Sequence, residues 1–286
     1  MKLKFIAITL AVSALAACSP SKKEKVTDDG SISARTPETE NLLAHLKKVS
    51  SRGFMFGHHD DTNYGIGWEG DEGCSDVKSV CGDYPAVISF DLGHLELGDT
   101  LSLDKVPFSK IRREILNQYK RGGLSSLSWH LRNPLTGGDS WDVSDTTVVK
   151  SILPGGVHHE KFAGWVSKVS AFINSLQTED GVKVPVLFRP WHEHTGSWFW
   201  WGEKLCTPEE YKALWHMTVD ILRGDGVDNA LYAYSPGGEP QDTAQYLKRY
   251  PGDDLIDVIG FDTYQFDRPS YLANVGKSLA IVDSIG

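Results

Sequence analysis

VPVLFRPWHEHTG, residues 184–196, begins as a strand and ends as something else. Its first half is a short apolar run rich in β-branched and aromatic residues, the size of one buried strand. Its second half sets two histidines and a glutamate where that strand leaves the sheet. The same change recurs along the chain: Gly53–His58 exits into GHHDDTNYG, Pro85–Leu92 into DLGHLE, Leu124–His130 into WHLRNP, Ala230–Ser235 into SPGG and Ile256–Tyr264 into DTYQF. Between these runs lie helix candidates. The stretch 36–49 carries Leu42, Leu43 and Leu46 at helical spacing; 108–123 stops at Gly122 and Gly123; 159–176 follows; and 207–226 opens on Thr207 as cap with Pro208 in the first turn. Strands alternating with helices imply a parallel sheet. A dinucleotide fold would place a G-x-G-x-x-G turn after its first strand. Here polar and aromatic groups gather at the C-terminal end of every strand, as on the active face of a TIM barrel. The expected fold is therefore α/β, a (β/α)8 barrel of which this chain carries about six βα units.

At 286 residues, 40% hydrophobic and 23% charged, the chain can bury a substantial core. A net charge of −9 lacks the clustered Lys and Arg of nucleic-acid binders and points to a neutral or cationic partner. The N-terminus has Lys2 and Lys4 followed by a 13-residue run, Phe5–Ala17, ending in small residues. That pattern is an export signal over 1–17, too short for the roughly 20 residues of a membrane-spanning helix. LAAC, residues 15–18, resembles the bacterial lipoprotein cleavage box, which makes Cys18 the lipid-bearing first residue of the mature chain. Simple cleavage that leaves Cys18 an ordinary thiol is the alternative. Residues 18–35 then read as a polar tether and 36–286 as the folded domain. In an oxidising compartment Cys74 and Cys81, flanking a short loop, are expected to form a disulfide, with Cys206 left buried and inert.

The chemistry concentrates in 189–202, RPWHEHTGSWFWWG. Regular β geometry would place Arg189, Trp191 and Glu193 on one face, with Glu193 at the strand mouth. A carboxyl among aromatic walls has its charged form disfavoured by desolvation, which suits it to donate a proton. Trp198, Trp200 and Trp201 crowd one short loop, so some should line a surface, and flat aromatic faces beside carboxylates suit a sugar ring. H-E-H on a strand lacks the i, i+4 histidine pair of the metalloprotease helix. His58, His59 and Asp60 could add ligands, but no metal and no cofactor is expected. His130, His192 and Asp262 read as hydrogen-bonding groups.

RPWHEHTGSWFWWG, with FGHHD at 56–60, SWHLRNP at 128–134 and IGFDTY at 259–264, resembles glycoside hydrolase family 26, the β-mannanase-containing family of the retaining TIM-barrel clan. The resemblance implies a β-1,4-linked mannan as substrate and double displacement as mechanism. It makes Glu193 the acid/base and puts His192 at the clan's preceding position, where most relatives have asparagine. Tyr264 matches the tyrosine that hydrogen-bonds the nucleophile, and Arg189, His130, Trp198 and Asp262 fall on positions used around the sugar subsites. The family's nucleophilic glutamate ends a seventh strand, which is not found before Gly286, so the domain is expected to be C-terminally incomplete. Glu239 and Asp262 are the in-chain carboxylates nearest that role. Taken together, the expectation is an exported, monomeric, lipid-anchored enzyme, periplasmic or at the cell surface, that binds β-mannan and touches the membrane only through its lipid. Alternatives are a mannan-binding lipoprotein that does not cut, a family member acting on xylan or mixed-linkage glucan, and a metal-dependent hydrolase.

Overall fold

A computed structural model describes residues 35–264 and 266–286. The export signal over 1–17, Cys18 and the tether up to residue 34 lie outside the described residues. Six strands form one fully parallel sheet in chain order: β1 (Gly57–His59), then, after a two-stranded hairpin of β2 (Tyr64–Gly65) and β3 (Trp68–Glu69), β4 (Val87–Asp91), β5 (Leu124–Ser128), β6 (Val186–Arg189), β7 (Ala230–Tyr234) and β8 (Val258–Ile259). Each strand pairs with its predecessor in the sheet, without the reversal of order that marks a doubly wound fold. This is the βα succession of a TIM barrel, as the strand exits imply.

The helices are α1 (Pro37–Ser50), α2 (Asp76–Cys81), α3 (Phe108–Lys120), α4 (Val148–Ile152), α5 (His159–Asn174), α6 (Pro208–Gly224), α7 (Thr243–Leu247) and α8 (Arg268–Ile285). Local chemistry sets their starts. Thr207 accepts from the Glu210 amide while the Glu210 carboxylate accepts from the Thr207 amide, a capping box closed by Pro208 in the first turn. Thr207→Ala is expected to lower stability by about 1 kcal/mol, read as a fall in the urea midpoint at unchanged slope.

β5 and β7 are buried along their whole length, whereas β1 is exposed. Beneath the C-terminal mouth of the sheet lies an aromatic cluster centred on Trp191, whose ring is 5.7 Å from Trp129, 5.9 Å from Phe162 and 5.6 Å from both Trp200 and Trp201. Burying such large apolar groups is a main source of the fold's stability and fixes the floor on which the mouth residues stand.

Two sequence expectations need correction. Cys74 and Cys81 are free thiols. The segment between them is α2, capped by Ser75, rather than a loop. Cys81 closes this helix and Cys74 precedes its cap, so the helical rise of about 1.5 Å per residue leads the chain away from Cys74. The Cys81 thiol instead turns onto the Val77 and Asp83 carbonyls. The second correction concerns the face shared by Arg189, Trp191 and Glu193. β6 ends at Arg189, and after Pro190 both Trp191 and Glu193 adopt left-handed backbone, at φ +56° and +55°. Trp191 is thereby sent into the core and Glu193 into the mouth.

Candidate active site

Glu193 is only 6% exposed. Its amide donates to the Ser235 carbonyl at 2.8 Å, which pins the β6 exit to the β7 exit. Both carboxylate oxygens are taken: the Trp198 Nε1–H donates to Oε2 at 2.8 Å and the Tyr264 hydroxyl to Oε1 at 2.7 Å. Trp198 reaches back because residue 196 is glycine; a Cβ there would lie 2.2 Å from the Trp198 ring. Burial and the neighbouring Glu193 carboxylate push the Tyr264 hydroxyl up, so that it stays a donor. Tyr264, which the family resemblance pairs with the nucleophile, here bonds the Glu193 carboxylate.

On the other side of the mouth, a charged relay runs down to β4. Asp91 ends that strand and accepts from the Gly93 amide at 2.7 Å, the Ser128 hydroxyl at 2.6 Å and His130 Nδ1–H at 2.6 Å. Burial opposes the charge of Asp91, yet His130 and these bonds hold its carboxyl well below the usual range. Burial likewise works against a charged His130, but the Asp91 carboxylate raises it above its ordinary value. His192, fully buried and facing Arg189 and His130, is driven well below the usual imidazole range. The two Nε2 atoms are 3.0 Å apart. The opposite shifts put the shared proton on His130, which donates to a neutral His192.

Arg189 Nη1 donates to Asp262 Oδ2 at 2.8 Å, and the Ser235 hydroxyl donates to the same carboxylate. Glu239 accepts from the Thr195 hydroxyl at 2.6 Å. All seven site residues read from sequence, His130, Arg189, His192, Glu193, Trp198, Asp262 and Tyr264, therefore meet at one mouth. Of the tryptophans, Trp198 is 37% exposed while Trp200 and Trp201 are fully buried. The mouth opens as a cleft of about 670 Å³ lined by His130, Trp141, Glu193, Trp198, Glu239 and Tyr264 among others.

Two groups were missed in the sequence. Trp141 lies parallel to His130 at 5.5 Å and is half exposed to the cleft, a flat platform from a loop with no periodic signal. Asp91 was recoverable, since it ends a strand as Glu193 nearly does. Near the β1 exit, His59, Asp60 and Asp104 bring ligand-type atoms within 4.8 Å of one another, the one such grouping among the described residues, and His58 lies outside it. In chemical terms the cleft offers a nearly buried carboxyl facing aromatic walls, together with two cation–carboxylate pairs, His130–Asp91 and Arg189–Asp262.

The model of glycosyl hydrolase family 26 matches residues 32–282. A mannan endo-1,4-beta-mannosidase of Bifidobacterium adolescentis is 38% identical over 239 residues, 81% of this chain and 23% of that protein. A GH26 beta-mannanase structure from Bacteroides ovatus superposes with a TM-score of 0.87 at 60% identity, covering 88% of this chain and 73% of that one. An endo-beta-1,4-mannanase double mutant of Cellulomonas fimi gives 0.82 at 35% identity, covering 88% and 58%. The chain thus spans less than a quarter of the Bifidobacterium relative and about three quarters of the Bacteroides structure. Because the family match runs across all six parallel strands and both sides of the mouth, the chain belongs to glycosyl hydrolase family 26.

Proposed function

We propose that this protein hydrolyses β-1,4-mannosidic linkages in mannan, glucomannan or galactomannan by a retaining double displacement. The observation that carries the reading is Glu193, nearly buried at the mouth, aimed by Trp198 and Tyr264 into an aromatic cleft. In the first step Glu193 gives its proton to the departing glycosidic oxygen; in the second it takes one from the attacking water. Trp198 and Trp141 present flat faces to sugar rings, and Arg189, His130, His192 and Asp262 fix hydroxyls and one another.

Retention needs a second carboxyl about 5 to 5.5 Å from the first. Asp262 is committed to Arg189 and Glu239 to Thr195, and we assign the nucleophile to neither. It is proposed to come from a further strand of a longer polypeptide, which accords with the chain's partial coverage of its relatives. Incubating the full-length protein with linear mannan and following the anomer first released tests the reading: β-configured mannooligosaccharides are expected. Binding without product would favour the non-cutting lipoprotein, and loss of cleavage to a chelator would favour metal-dependent hydrolysis.

The domain boundaries proposed are an export signal over 1–17, a lipidated tether over 18–35 and the catalytic domain from 36. On the same reading of the N-terminal sequence, we propose a lipid-anchored monomer of the bacterial periplasm or cell surface. Cys18→Ser is expected to abolish incorporation of labelled palmitate and to release the protein from the membrane fraction; an unchanged distribution would sink the anchor.

A further inference from the structure

The turn that carries Glu193 is gripped by its carbonyls. Non-glycine residues keep left-handed backbone, as Trp191 and Glu193 do, only when their surroundings over-determine it. Four successive carbonyls here each accept from a different group. The Tyr211 hydroxyl holds Trp191 O at 2.7 Å, Trp201 Nε1–H holds His192 O at 2.9 Å, the Gly196 amide holds Glu193 O at 3.0 Å and Arg249 Nη1 holds His194 O at 2.6 Å. The outer two clamps are one unit, because the Arg249 guanidinium lies 4.3 Å over the Tyr211 ring. This stacked pair grips both ends of the turn with Glu193 between them. The same guanidinium continues to the Cys206 carbonyl at 3.0 Å and the Trp201 carbonyl at 3.4 Å, tying the residue after Glu193 to the start of α6.

Arg249 is 2% exposed, and none of the ion pairs among the described residues includes it. A buried cation whose Nη atoms bond only carbonyls and a thiol, and whose Nε has no partner among the described residues, is a poor way to gain stability, since an apolar side chain of similar volume commonly does as well or better. What an apolar residue or a lysine cannot supply is a planar fork of donors that gathers carbonyls from separate turns. We propose that Arg249, stacked on Tyr211, is a positioning residue that aims the Glu193 carboxyl at the glycosidic oxygen. It touches no substrate and acts only through the turn. The inference rests on the acid/base reading of Glu193 given above.

The test uses Arg249→Met in the full-length protein and a series of aryl β-mannosides that differ in leaving-group ability. kcat/KM reports glycosylation, in which a poor leaving group needs the proton and a dinitrophenolate does not. Misaiming the acid is expected to lower kcat/KM about 30- to 100-fold for mannan and for the poorest leaving group, and less than about threefold for dinitrophenyl. KM should move little. An equal loss for all leaving groups, which general loosening of the fold would give, overturns the proposal, as does no loss. Should the methionine variant not fold by circular dichroism, Arg249→Lys is expected to show the same leaving-group dependence at smaller amplitude, and a flat dependence there overturns the proposal equally. A wild-type protein that cleaves no mannoside would instead bring down the function itself, and this inference with it.

Discussion

Glu193→Ala is expected to lower kcat/KM on polymeric mannan by about 10²- to 10⁴-fold, the usual worth of a positioned acid/base. The loss should follow the proton. With a dinitrophenyl mannoside, whose leaving group departs as a stable anion, most of the glycosylation rate should survive. Folding should not suffer, because the carboxylate oxygens bond only Trp198 and Tyr264, both partly exposed, and these donors can turn to water once it is gone. An unchanged thermal midpoint beside the collapsed rate is the expected pair of results. Near-native turnover on mannan would remove Glu193 from the mechanism and leave the cleft without an identified acid.

The sheet was legible because each strand is a short apolar run followed by polar residues, and that punctuation survives in the sequence however the strands twist. Length was less so: the first strand begins at Gly57 rather than Gly53. The orientation of Trp191 and Glu193 was not legible, since two left-handed residues after Pro190 break the period-two rule on which the prediction rested. Where the alternation ends is set by what packs on either side, and here the Trp129 and Phe162 rings claim Trp191. α2 could have been found from Ser75 before the run and Gly82 after it, a helix start and stop that argue against a disulfide between Cys74 and Cys81. Arg249 carried no local signal at all. Its partners lie between 43 and 55 residues away in the chain, and only the folded turn brings their carbonyls together.

Asp91→Asn is expected to have the largest effect on stability. Asparagine keeps the shape but loses the charge that His130 answers, and it turns a donor toward groups that are themselves donors, the Ser128 hydroxyl and His130 Nδ1–H. Removing one partner of a buried ion pair costs about 3 to 5 kcal/mol. The pH dependence has a defined sign. The Asp91 carboxyl is held low, so its contribution is present above the ordinary aspartate value of about 3.9 and is lost as pH falls through its folded value. His130 is held high, so its contribution is present below the ordinary histidine value of about 6.5 and is lost as pH rises through its folded value. The pair is therefore worth most between about pH 4 and pH 6.5. Urea unfolding of wild type and Asp91→Asn across that range should give a stability difference that peaks inside the window and shrinks above it. Activity should fall with it, because an unanchored His130 no longer holds its proton against His192 at the edge of the cleft. A stability difference that is flat from pH 4 to pH 9 would mean that His130 is neutral beside Asp91, and the relay from β4 to the mouth would carry no charge.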